Sequence, residues 1–260
     1  MNCTFCGNEA QGHKTKEHIF PVWLLEEFGF GEEVVNPTHF DSNGNVISER
    51  THNMNSFVAG GVCRKCNNGW MSALETANMH LITELARGKR DILDLEDEEA
   101  IGLSHWTFKT ALALHAGANW RQVVPKSHYR GLAEDVPDMP TGVRVVGKTV
   151  PTSGGFSWAQ STDWHIHATE RTISAEEVEH LGTVCYKICI QIENLLLLVS
   201  YNPFAHLREI MWKYTHVPLY PRRGPVSWLI WDKSLPFNGL QALFAFHHSF
   251  GLTPIPESSQ

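Results

Sequence analysis

Two Cys-x-x-Cys pairs, "CTFC" at residues 3–6 and "CRKC" at residues 63–66, constrain this chain more than any other feature. Each pair lets two sulfurs bind one ion without backbone strain, and four thiolates meet the tetrahedral demand of a structural zinc. Residues 1–90 are rich in Cys, His, Asn and Gly, with long irregular stretches such as "NPTHFDSNGNV". Such a segment buries little apolar surface of its own, so a metal staple is physically expected. The interval from Cys6 to Cys63 is much longer than the ~15–20 residues of a simple zinc ribbon. Two unrelated pairs, buried or reactive, are therefore the alternative.

The compartment bears on the same question. The start "MNCTFCGNEA" lacks the basic residues and apolar core of a signal peptide. The longest strongly apolar run, "LLLLV" at 195–199, is far too short to span a bilayer. The expected setting is the cytoplasm, with no membrane partner, where cysteines favour metal over disulfides. Cys185 and Cys189 differ from the paired cysteines: they sit on a predicted strand with apolar neighbours and are expected to be core residues sharing one face.

With 260 residues, 42% apolar and 19% charged, the chain has a globular composition suited to one large domain or two modest ones. The pattern turns helical from Trp70, with Leu74, Asn78, Leu81 and Leu85 on one face and Met71 and Ile82 beside them. "RGKR" at 87–90 is the expected stop. The acidic run 91–100 leads into a second helix over about 97–117, carrying Ile101, Trp106, Phe108, Leu112 and Leu114 in several directions. Beyond it the period shortens. "GVRVVGKTV", "FSWAQ", "WHIHATE", "TVCYKICIQI" and "LLLLVSY" read as strands, with Glu193 and Asn194 as a tight turn. The expected class is α+β: a zinc-stapled module over residues 1–92, then helices and a mainly antiparallel sheet over 93–260.

Between the two cysteine pairs lies "KEHIFP", a carboxylate beside a histidine, and Asn67 and Asn68 follow the last cysteine directly. With "CTFC", "EHIFP", the loop "HNMNSF" and "CRKCNN", residues 1–75 resemble the HNH endonuclease family, built on a treble-clef or ββα-metal scaffold. Cys66 followed by Asn67 is similar to the phage recombination endonuclease VII group, whose last motif position is Asn instead of His. A wider likeness, through "CNNGWMSALE" and "LSHWTFKTALAL", is to uncharacterised bacterial and phage HNH proteins of similar length. Glu17 stands where Asp is more frequent, and "SFVAGGVC" is a loose match to the usual Asn-to-Cys interval.

The resemblance implies an endonuclease that hydrolyses phosphodiester bonds, with DNA as the expected partner. It implies His18 as general base, since a neutral imidazole of ordinary pKa about 6.5 accepts a water's proton near neutral pH. It implies Glu17 and Asn67 as oxygen ligands of a catalytic Mg²⁺ or Mn²⁺. It also implies a loop Asn that orients the histidine loop, with Asn55 the first choice and Asn53 close behind. Neighbouring strand residues point oppositely, so Glu17 and His18 can serve metal and water from different sides. A helix starting past Cys66 would aim its N–H groups at a phosphate. Asn67 has a second reading as a helix cap only, and Asn68 is expected to be a pure cap.

The net charge of −7 argues against a protein that coats nucleic acid non-specifically, and it points to a restricted substrate or to a protein partner or second copy. Arg208, Lys213, His216, Arg222 and Arg223, interleaved with Trp212, Tyr214 and Tyr220, form the most basic stretch. They read as backbone contacts for nucleic acid or as solvated residues around core aromatics. His165 and His167 read as an exposed strand face, and His247 and His248 carry no motif. The rival to a nuclease is a non-catalytic zinc module that binds nucleic acid or protein, with Glu17 and His18 merely structural.

Overall fold

The structure is a computed structural model that describes residues 2–9, 15–41, 45–118, 122–133, 139–150, 155–166, 173–211, 216–221 and 240–255. It is α+β with mainly antiparallel sheets. Two compact units divide the chain: residues 1–79 with 109–138, and residues 80–108 with 139–260. The boundary expected after residue 92 falls inside the second unit's first stretch.

The first unit opens with β1 (Thr15–His18) and α1 (Val22–Phe28). Four short strands follow: β2 (Val34–Val35), β3 (Thr38–Phe40), β4 (Val46–Glu49) and β5 (His52–Asn53). They pair only among themselves, β2 with β5 and β3 with β4, and leave Val34, Phe40, Val46 and Ile47 exposed. Next, β6 (Val58–Val62) returns antiparallel to β1, with Glu17 opposite Ala59 and His18 opposite Val58. It leads directly into a helical turn, α2 (Arg64–Cys66), a π-helical turn over Asn67–Met71 and the helix α3 (Ser72–Ala86). The helix α4 (Asp97–Gly117) and the short α5 (Lys126–Leu132) complete the unit's elements. Helices α3 and α4 each contribute residues to both units.

The helical expectations hold in outline. Met71, Asn78, Leu81, Ile82 and Leu85 are buried along α3, and Trp106, Phe108, Leu112 and Leu114 along α4. Ile101 is the exception and is exposed. After α3, the Gly88 and Lys89 N–H groups close onto the Leu85 and Glu84 carbonyls, as a helix stop at "RGKR" requires.

The second unit is organised by one hairpin. Glu193 takes positive φ (50°) and, with Asn194, turns β10 (Tyr186–Ile192) into β11 (Leu195–Tyr201) with Ile192 opposite Leu195. Before it come β7 (Val143–Thr149), β8 (Phe156–Ser161), β9 (His165–Ile166) and α6 (Ala175–Val184). After it come β12 (Leu207–Met211), β13 (Val217–Tyr220), α7 (Leu240–His248) and β14 (Phe250–Pro254). The main sheet has five strands in the order β13-β7-β11-β10-β8, and a three-stranded sheet has the order β12-β14-β9.

Both faces of the main sheet are covered, so its central strands are buried throughout rather than alternating. On one face Val146, Cys189, Leu196 and Leu198 pack with Ala242, Leu243 and Phe246 of α7. On the other, Gly147 lies against Ile92, Leu197 and Leu219, so closely that a Cβ there would collide with Ile92. "TVCYKICIQI" is not one strand: a capping box of Ser174 and Glu177 starts α6, which runs to Val184, and Cys185 caps its end. Both Cys185 and Cys189 are core residues, as expected, and they sit in different apolar clusters, Cys185 capping α6 and Cys189 on β10. Of "WHIHATE", His165 and Ile166 form β9, and His167 lies outside the described residues. So do Trp212, Lys213, Tyr214, Arg222 and Arg223 of the basic stretch.

Candidate functional site

The two cysteine pairs converge because the backbone around each is tied to the other. The first forms a tight turn, with the Cys3 N–H on the Asn8 carbonyl (2.8 Å) and the Gly7 N–H on the Cys3 carbonyl (3.0 Å). Gly7 has φ 74°, a conformation that costs glycine little. The Thr4 N–H then reaches the Gly61 carbonyl of β6 (3.0 Å), and the Cys63 N–H points at Cys3 Sγ (3.3 Å). Cys63 itself is extended, while Cys66 lies in the helical turn that follows.

The four sulfurs all lie within 4.8 Å of one another, close enough to hold a metal ion. Cys3–Cys66 is 3.9 Å and Cys6–Cys63 is 3.8 Å. Among the described residues this is the only group of three or more His, Cys, Asp or Glu side chains arranged for a metal. Burial would raise the Cys3 thiol, but the backbone N–H groups of Cys63, Cys6 and Phe5 outweigh it and bring it down to about 7. Burial pushes the Cys66 thiol up, and the neighbouring Cys3 charge adds to the effect. A bound cation is what allows such crowded thiols to be thiolates together. Phe5 seats the first turn by edge contacts with Trp70 (5.8 Å) and Tyr129 (5.4 Å), whose hydroxyl bonds His115 Nδ1 (2.9 Å).

Glu17 and His18 occupy the end of β1, where side-chain alternation separates them. Glu17 is buried and its Oε1 lies 2.9 Å from Lys109 Nζ of α4. The same ammonium lies 2.5 Å from Glu75 Oε1 of α3. Lys109 is fully buried, so this is a three-member ionic cluster inside the first unit. Burial raises the Glu17 carboxyl above its ordinary range while Lys109 pulls it back. For Lys109, burial is outweighed by the Glu75 and Glu17 charges, which leave its pKa raised and the side chain protonated. His18 is half-buried and opposite Val58, and its imidazole makes no hydrogen bond among the described residues.

Asn55 is exposed in a 3₁₀ turn, its carboxamide 3.4 Å from Glu32 Oε1 and against Gly31. The side chain of Asn53 caps that turn by accepting from the Asn55 N–H (2.9 Å). The loop meets the histidine's strand through the backbone, where the Ile19 N–H donates to the Phe57 carbonyl (3.2 Å). Asn67 is not a helix N-cap. The helix starts earlier, at Arg64, and Asn67 has helical φ/ψ with its N–H on the Cys63 carbonyl (3.0 Å). Asn68 falls inside the π-helical turn that Gly69 kinks, so it is not an N-cap either. The turn past Cys66 therefore offers no free N-terminus to a phosphate.

Lys109 and Glu75 escaped the sequence reading. The signal was present: a lysine in the middle of "WTFKTALAL", where every neighbour is apolar or small. In the second unit the His165 and His248 rings lie 5.9 Å apart, and His247 is buried beside them. No described helix is long and apolar enough to cross a membrane. No family model, curated protein or solved structure matches the chain.

Proposed function

We propose that the first unit is an HNH-type endonuclease module on a treble-clef scaffold, cutting DNA, with a structural zinc at Cys3, Cys6, Cys63 and Cys66. The observation that carries this reading is positional. Glu17 and His18 end the strand that pairs with β6, and β6 runs without interruption into the second cysteine pair and its helix. A turn, an antiparallel strand pair and a helix around one cysteine cluster suit a treble clef. Zinc–sulfur bonds of about 2.3 Å imply sulfur separations of about 3.8 Å in a tetrahedron, which suits the distances of 3.8 and 3.9 Å.

In this reading His18, unencumbered by hydrogen bonds, takes the proton of the water that attacks phosphorus as the P–O bond to the leaving oxygen breaks. A hard cation, Mg²⁺ or Mn²⁺, would neutralise phosphate charge and stabilise that oxygen through ligands from Glu17 and Asn67. Oxygen donors suit such an ion, and the Lys109 pair uses one oxygen of Glu17. Asn55 would orient the loop beside the histidine's strand, the role the resemblance gives it.

One observation favours a second reading, a non-catalytic zinc module that binds nucleic acid or protein: the charge of Glu17 is already met by Lys109. The two readings separate in one assay. Purified protein is incubated with plasmid, single-stranded DNA and RNA, with Mg²⁺ or Mn²⁺ and with chelator. Divalent-dependent cutting of DNA is expected; no cutting of any substrate by zinc-replete protein would leave only the binding module.

A further inference from the structure

We propose that Lys109 is the resident counter-ion of Glu17 and that a divalent cation reaches Glu17 by exchange, with Lys109 passing to Glu75. This deepens the nuclease reading and rests on it for the place of the cation. It gives positioning roles to two residues that carry no motif.

The geometry supports an exchange over a fixed tie. A single ammonium lies between two carboxylates, 2.9 Å from Glu17 and 2.5 Å from Glu75, with Lys109 wholly enclosed. One carboxylate is enough to compensate one buried ammonium, so the cluster holds one negative charge more than neutrality requires. That surplus is what a second cation can claim. A buried lysine left with no partner would be strongly destabilising. Glu75 removes that obstacle, because Lys109 keeps its shorter contact when Glu17 turns to a metal. Glu75 is also the more accessible of the two, with 19% of its side chain exposed against 6% for Glu17. The three residues come from β1, α3 and α4 of one unit, and Glu75 follows Asn67 along the same helical stretch.

Exchange makes a prediction of opposite signs. Removing the competitor in Lys109→Met frees Glu17 and should tighten Mn²⁺ binding. Removing the alternative acceptor in Glu75→Gln binds Lys109 to Glu17 alone and should weaken it. Each shift should be roughly tenfold, within the ordinary range of coupling between linked sites. Glu17→Gln should abolish the site in every background.

Mn²⁺ binding to zinc-loaded protein is measured by calorimetry and by the electron paramagnetic resonance signal of free Mn²⁺, with zinc content and circular dichroism as folding controls. Tighter binding in Lys109→Met with weaker binding in Glu75→Gln supports the exchange. Equal affinities in wild type and both variants, or weakening in both, overturn it. If Lys109→Met fails to fold, Glu75→Gln decides alone, and unchanged affinity there overturns the proposal. DNA cleavage is run in parallel. Opposite Mn²⁺ shifts without cleavage by any protein remove the nuclease reading and keep the exchange. Cleavage by wild type with unshifted Mn²⁺ affinities does the reverse.

Discussion

The two units of this chain reach stability by different means. In the second, seven-residue strands pair edge to edge and are buried on both faces, with α7 packed across one of them. Apolar burial of that kind, roughly 25 cal/mol per Å², is enough to hold a sheet. In the first, strands of two to five residues leave apolar side chains in solvent, and a core that includes Phe5, Phe20, Leu24 and Leu25 is supplemented by four clustered cysteines and a buried ionic triad. Buried charge occurs in both. In the second unit Lys187 is spent on the backbone carbonyls of His247 and Phe250, a structural use. In the first, Lys109 faces two carboxylates next to an uncommitted histidine. Polar packing that is costly to maintain marks the unit in which chemistry is to be expected.

The largest test of this contrast is removal of a thiolate. Cys63→Ser should lose the bound metal and unfold the first unit, since structural zinc in finger peptides is worth on the order of 10–16 kcal/mol. Metal analysis together with proteolysis of the two units measures it. Full metal retention with an intact first unit would show that packing alone holds that region.

A core truncation in the other unit is the counterpart. Leu198, fully buried in the cluster under α7, should cost about 2–5 kcal/mol when changed to Ala. Zinc content should not change. Chemical denaturation with metal analysis checks both halves of that statement.

Smaller in effect is a buried acid of the second unit. Burial raises Glu209 from 4.5 to about 7, against the opposing pull of Arg144, the Ser200 hydroxyl and Lys187. A raised folded-state pKa favours the protonated form, so this contribution is fully present below about 4.5 and lost as pH rises through about 7. Glu209→Gln should flatten that decline and stabilise the protein at pH 8 by on the order of 2–3 kcal/mol. Denaturation midpoints across pH 4–8, taken as about the range over which the group titrates, give the comparison; parallel curves for the two proteins would refute it.

Least of all in stability, Asn67→Ala should change folding by no more than about 0.5 kcal/mol, because its side chain is not the N-cap of a helix. A cap-only role would cost about 0.5–2 kcal/mol. A change in the Mg²⁺ and Mn²⁺ dependence of cleavage, with zinc and stability unaltered, would mark Asn67 as a ligand.

How much of this was legible beforehand follows from the range of each interaction. The cysteine pairs, the end of α3 at "RGKR", the extent of α4 and the Glu193–Asn194 turn are written in local spacing and could be read directly. The origin of the helix near Cys66 could not. Asn67 and Gly69 are good entry residues by composition, but the backbone of Cys63 starts the turn earlier because its amide is fixed by Cys3 and its sulfur lies against Cys6 across the fold. The triad is the clearest case. Lys109 was visible as an anomaly in an apolar helix, yet Glu17 and Glu75, far away in sequence, are what explain it.

The central claim is that the first unit is a nuclease in which His18 moves the proton and the metal cluster only holds the fold. His18→Ala is the direct measurement, because the imidazole is not a partner in the Lys109 ion pairs. Cleavage of DNA should fall ~10²–10⁴-fold, the usual worth of a general base, with zinc content and thermal stability as in wild type. Wild-type rates of cleavage by His18→Ala would contradict the account and assign the histidine to structure.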